Sequence, residues 1–251
     1  MTSGRPAELW GLVAGQAAEA GRRVSVADVC AVAAEATQVS GAWVTMASGR
    51  GPDFVMCVTG PMGEQLAELQ QTLGEGPCND ALASAAPVLA ADLEDGASGR
   101  RWPGFTPQAL RLGAAAVFAF PLSIGAIQAG VMGLYRDLPG PLPPARFGDG
   151  LILADAAAML MLDRARHGGN GTAAADGQPV DGQSPDLAVH RAEIDQATGM
   201  ITVQLGVDIA EAFARLRAYA YASDRRLADV ARDIVARRLR LDDNPGGGGG
   251  P

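Results

Sequence analysis

Nineteen residues from His167 to Pro185, HGGNGTAAADGQPVDGQSP, contain one isolated Val amid Gly, Ala, Asp and other small or polar residues. Such a run cannot bury enough apolar surface to offset the entropy lost on ordering, so it reads as a flexible linker. The 251-residue chain therefore divides into an N-terminal helical segment (1–23), a larger domain (24–166), the linker (167–185), a small domain (186–243) and a tail (244–251). The tail, NPGGGGGP, is expected to be disordered.

Composition removes several classes of chemistry. All 20 basic residues are Arg. Without Lys there is no phosphate-binding loop of the Walker type and no Schiff-base amine. Cys30, Cys57 and Cys78 form no CxxC pair and read as free thiols of a reducing compartment. His167 and His190 have no second His at ligand spacing, so no metal site is expected. No Ser/His/Asp or Cys/His set can be assembled, and Asp92, Glu94 and Asp95 read as a solvated turn, so the chain is not expected to be an enzyme. The N-terminus does not resemble a signal peptide, and the apolar stretches 114–120 and 151–162 are too short to span a bilayer. A cytoplasmic protein with no membrane partner is the expectation.

Hydrophobic periodicity gives the elements. Residues 7–40 read as helical. GAWVTMAS (41–48) and DFVMCVT (53–59) are β-branched and aromatic and flank a Gly/Pro turn, a hairpin signal. A helix over 64–73 follows, then strands at 88–91, 114–122 and 127–135 and a long helix over 146–166. This is an α+β domain, an antiparallel sheet flanked by helices. After the linker three helices are expected, over 187–205, 207–222 and 227–241, with Asp208 as an N-cap.

The last domain carries the most specific motif. Gln196-Ala197-x-Gly199-Met200, then Ala212 with Leu216-Arg217, then Leu227-x-x-Val230-Ala231 fall in register within residues 194–239. The segment resembles the ANTAR domain, an all-α three-helix RNA-binding module of transcription antiterminators. The resemblance implies RNA stem-loops in nascent transcripts as partners. Residues 187–241 hold nine Arg against seven acids, in a chain of net charge −8. Arg grips phosphates and aromatic rings stack on unpaired bases. The expected RNA contacts are Gln196, Thr198, Arg217, Tyr219, Tyr221, Arg225 and Arg226. Thr198 stands where the family commonly has Lys.

Leu73-Gly74-Glu75-Gly76-Pro77-Cys78, Asp92-Leu93 and Arg101-Trp102-Pro103 resemble the GAF domain of actinobacterial GAF–ANTAR regulators. A GAF-like sensor domain implies an unknown small-molecule ligand or protein signal, with Trp43, Cys78, Trp102 and Phe118 as candidate ligand-binding residues. Residues 1–166 contain no His, so a haem held by a proximal His is excluded, and no cofactor is expected.

Two further expectations concern assembly. The stripe Leu151, Ala154, Ala158, Leu162 and Ala165, widened by Leu153, Ala157 and Leu160, points to a homodimer through the long helix. Residues 1–166 carry a net charge of −5, from 11 Arg and 16 acids, against +2 for residues 187–241. A signal is expected to act through dimer pairing or through docking of the helical domain on the first, and charge favours docking, with the acidic domain over the Arg face. The alternative reading is a non-enzymatic dimeric GAF scaffold whose helical domain docks a protein partner.

Overall fold

The computed structural model describes residues 4–47, 53–167 and 185–241. The expected linker, apart from its end residues His167 and Pro185, and the expected tail lie outside these residues.

Helix α1 (Arg5–Glu19) buries Leu9, Val13 and Ala17 at four-residue spacing, which puts them on one stripe. Arg5 holds the Asp149 carboxylate through two hydrogen bonds of 2.8 and 2.7 Å, tying α1 to α7 (Pro144–His167). Helix α2 (Val26–Thr37) opens on a capping box: Asp28 Oδ2 accepts the Ser25 backbone N–H at 2.8 Å. Arg22 grips the same carboxylate with two bonds of 2.7 Å.

Five strands follow the α+β expectation: β1 (Gly41–Met46), β2 (Phe54–Val58), β3 (Val88–Ala90), β4 (Ala116–Ile124) and β5 (Ile127–Arg136). They form one antiparallel sheet in the order β2-β1-β5-β4-β3. Strand alternation splits its side chains between two cores. Val44, Phe118, Phe120, Met132 and Leu134 pack with α1, α2 and α7. Trp43, Val117, Ala119, Val131 and Tyr135 face the other way. Over them lie α3 (Gly63–Leu73), α4 (Pro77–Ser84), α5 (Gly96–Arg101) and α6 (Phe105–Leu112). Trp43 pairs with Gly133 across the sheet, and any side chain at 133 would enter the Trp43 ring.

The long helix α7 faces mostly inward. Leu153, Ala154, Ala157 and Ala158 of the stripe expected to pair two copies are buried in their own domain. Leu151 and Met159 stay exposed.

The C-terminal domain comprises α8 (Pro185–Leu205), α9 (Ile209–Ala222) and α10 (Leu227–Val235). Their core is Ile194, Ala197, Ile201, Ala212, Leu216, Ala220, Leu227, Val230 and Ile234. Asp208 caps α9 as expected, accepting the Glu211 N–H at 2.8 Å. Helix α10 stops six residues before the expected end. Arg237 takes a left-handed φ of 59°, and Leu239 and Leu241 then cover the core without continuing the helix.

Candidate nucleic-acid interface

The Arg-rich surface is built at the α9–α10 junction. Helix α9 ends at Ala222, Asp224 turns the chain at φ 51°, and Arg225 and Arg226 precede α10. Arg226 occupies the N-cap position but supplies no capping oxygen, so the first N–H groups of α10 take an acceptor from elsewhere. Arg217 lies on α9. Tyr221 is exposed, while Tyr219 packs on the domain's core. Arg225 is held within its own domain by Asp233 at 2.6 Å.

Thr198 does not belong to this surface. It is 2 % exposed, and its hydroxyl donates to the Ile194 carbonyl one turn back at 2.7 Å. A β-branched residue on the inner stripe of α8 fills the core, which removes it from the expected RNA contacts. Gln196 lies one helix face away. It lines a groove of about 650 Å³ with Gly199, Met200, Val203, Arg237 and Arg240, a groove that Arg226 does not line. The sequence reading did not single out Arg237 or Arg240.

The Arg217–Arg226 surface rests on α3. Arg226 Nε and Nη2 donate to Glu68 Oε2 and Glu64 Oε1, each at 2.8 Å. The other Glu68 oxygen accepts the Ala228 backbone N–H at 3.2 Å, so a carboxylate from the sheet domain caps α10. Arg217 Nε donates to the Thr72 carbonyl at 3.0 Å, in the last turn of α3, where the helix dipole favours a cation. Gly74 ends α3 with φ 69°, and a side chain there would collide with the Arg217 guanidinium. At the other end of the contact, His190 Nδ1 lies 3.0 Å from Glu64 Oε1, and Arg191 sits 3.6 Å above the Phe54 ring. Desolvation pushes the Arg217 guanidinium below its ordinary pKa, with Asp53 pulling the other way. Desolvation acts on Arg226 too, but Glu68 and Glu64 outweigh it and raise the value. A single sequence shows the acids Glu64 and Glu68 at helical i, i+4 spacing, yet nothing in it says which residues they meet.

On the inner side of α3 the GAF-type motif is assembled. Gln70 is buried and accepts the Cys78 N–H at 2.7 Å through its Oε1. Glu75 accepts the N–H groups of Gly104 and Phe105 at 2.6 and 2.7 Å. Asp80 accepts from Arg101 at 2.7 Å and from Trp102 Nε1 at 3.1 Å. Trp43, Cys78 and Trp102 thus meet in one core, whereas Phe118 lies on the opposite face of the sheet and cannot join them. Burial pushes the Cys78 thiol up to about 12, the setting of a packing cysteine.

Comparison with known proteins agrees with this two-part structure. Residues 188–235 match the ANTAR domain family. The fold of the first domain is similar to the GAF domain of a phosphoenolpyruvate-protein phosphotransferase from Coxiella burnetii, at 13 % identity and a TM-score of 0.51, over 66 % of this chain and 99 % of that one. The corresponding Acinetobacter domain gives 12 %, 0.48, 68 % and 98 %. The GAF-B domain of DevS from Mycobacterium smegmatis gives 18 %, 0.42, 57 % and 93 %. No protein with a curated description matches. The chain combines a GAF-like sheet domain with a C-terminal ANTAR domain. Among the described residues no helix is long and apolar enough to cross a membrane.

Proposed function

We propose that this protein is a non-enzymatic, cytoplasmic transcription antitermination regulator of the actinobacterial GAF–ANTAR type. Its ANTAR domain binds paired RNA stem-loops in nascent transcripts, and its GAF-like domain senses a small molecule or a protein partner. The observation that carries this reading is the ANTAR match over residues 188–235, with Arg217, Arg225 and Arg226 gathered around the α9–α10 junction. Arg225 and Arg226 immediately precede the N-terminus of α10, an arrangement suited to phosphate. Tyr221 stands exposed beside them for base stacking. Two stem-loops call for two ANTAR domains, which a homodimer supplies.

Sequencing the RNA that co-purifies with the full-length protein tests the reading. Enrichment of transcripts with two adjacent stem-loops is the expected result. Recovery of no RNA, together with stable capture of a protein partner through the helical domain, would replace it by the scaffold reading.

A further inference from the structure

Helix α3 presents acceptors at positions 64, 68 and 72: two carboxylates and a backbone carbonyl of the last turn. Four residues of helix advance about 6 Å, so the acceptors form an evenly spaced line. That line is met by Arg226, the α10 N-terminus and Arg217, groups that also suit an RNA backbone. A carboxylate and a phosphate oxygen make the same demands on a guanidinium and on a helix N-terminus.

We infer that α3 is a built-in competitor for RNA, its row of acceptors standing in for phosphates. The domains close on each other through the surface that RNA needs, and RNA binding requires α3 to let go. This inference rests on the proposed RNA-binding role of the Arg217–Arg226 face.

Three features suit the contact to reversible release. Its ion pairs are partly solvated: the Arg226 side chain is 45 % exposed, against 31 % for Glu64 and 14 % for Glu68. Such pairs hold weakly, so a competing polyanion can displace them. The approach of Arg217 depends on the missing side chain of Gly74, in the turn that leads to Gly76, Pro77 and Cys78. Finally, α3 is the wall between the inner core of the first domain and the docked helical domain. Leu66, Ala67 and Gln70 on its inner side belong to the core of Trp43 and Cys78, while Glu64 and Glu68 on its outer side hold the ANTAR domain. A ligand or partner that shifts α3 changes the docking contact directly. It releases the Arg face only if it binds the open arrangement more tightly than the closed one.

The test compares three full-length proteins: the parent, Glu64→Gln/Glu68→Gln, and Glu19→Gln/Glu94→Gln. The last makes the same charge change at exposed positions outside the contact. Small-angle scattering and amide exchange at Ala228 read domain opening. Binding of the tandem stem-loop RNA most enriched with the purified parent reads competition. The α3 variant should expand, exchange faster at Ala228 and bind RNA more tightly than the control. For an open fraction of roughly one tenth in the parent the gain is about tenfold, because apparent affinity scales with that fraction. A variant that stays closed, or that opens and binds no better than the control, overturns the inference while leaving RNA binding standing. If none of the three retains RNA although the α3 variant opens, the RNA-binding reading itself fails, and the competition fails with it.

Discussion

Asp28 shows how one residue ties sequence to stability. It closes the capping box of α2 and is almost fully buried against Arg22. Desolvation pushes its carboxyl upward, but the hydrogen bonds from Arg22 and Ser25 outweigh it and leave the pKa below the ordinary value. The folded pKa thus lies below the unfolded one, near 3.9. The stabilisation is present above that pH and is lost as the pH falls through the folded value. Asp28→Asn should cost about 2 kcal/mol at neutral pH, typical of a lost charged hydrogen-bond pair. Thermal melts from neutral pH down to acid should show parent and variant converging as the pH falls below about 4. A constant gap across the range would place the effect in packing instead. Thr198 gives the opposite lesson about single residues: the motif places it in the ANTAR signature, but the inward turn of α8 puts it in the core.

At the scale of elements, alternation and β-branched content made the sheet legible, and four-residue apolar spacing made α7, α8 and α9 legible. Helices α4, α5 and α6 were harder to read. They are short and rich in Gly, Pro and polar residues, and their positions follow from tertiary ties such as Glu75 to Gly104 and Asp80 to Trp102. The expected length of α10 failed for another reason. Leu239 and Leu241 keep apolar spacing but reach the core from a non-helical tail. Of the candidate site, the Arg and Tyr residues were visible in the sequence, but their occupant was not, because Glu64 and Glu68 lie more than 150 positions from Arg226. Gly74→Ala forces a side chain into a left-handed position, at a cost of about 1–2 kcal/mol, and drives a methyl into the Arg217 guanidinium. The first domain should melt at a slightly lower temperature, while exchange around α9 speeds up and RNA affinity rises. Unchanged exchange and affinity would show that Arg217 does not need this approach.

For the whole molecule, charge segregation favours the closed arrangement without naming its contacts: net −5 in residues 1–166 faces +2 in residues 187–241. The expected homodimer has less support from α7 than the sequence stripe promised, because its small residues face their own core. Leu151 and Met159 remain as the exposed apolar contact on that helix, with Met159 66 % exposed. If they pair two copies, Met159→Glu should convert a micromolar dimer of the full-length protein to monomer in sedimentation; a parent that is already monomeric would refute pairing through α7. The central claim, that the Arg217–Arg226 face grips RNA phosphates, is tested most directly by salt dependence in the opened Glu64→Gln/Glu68→Gln protein, where docking no longer competes. Binding of the stem-loop RNA is measured across a salt series before and after adding Arg217→Ala or Arg226→Ala. Each Arg that contacts a phosphate should lower the slope of log affinity against log salt by about one unit when removed. Slopes and affinities unchanged by both substitutions, with the fold intact, would contradict the account.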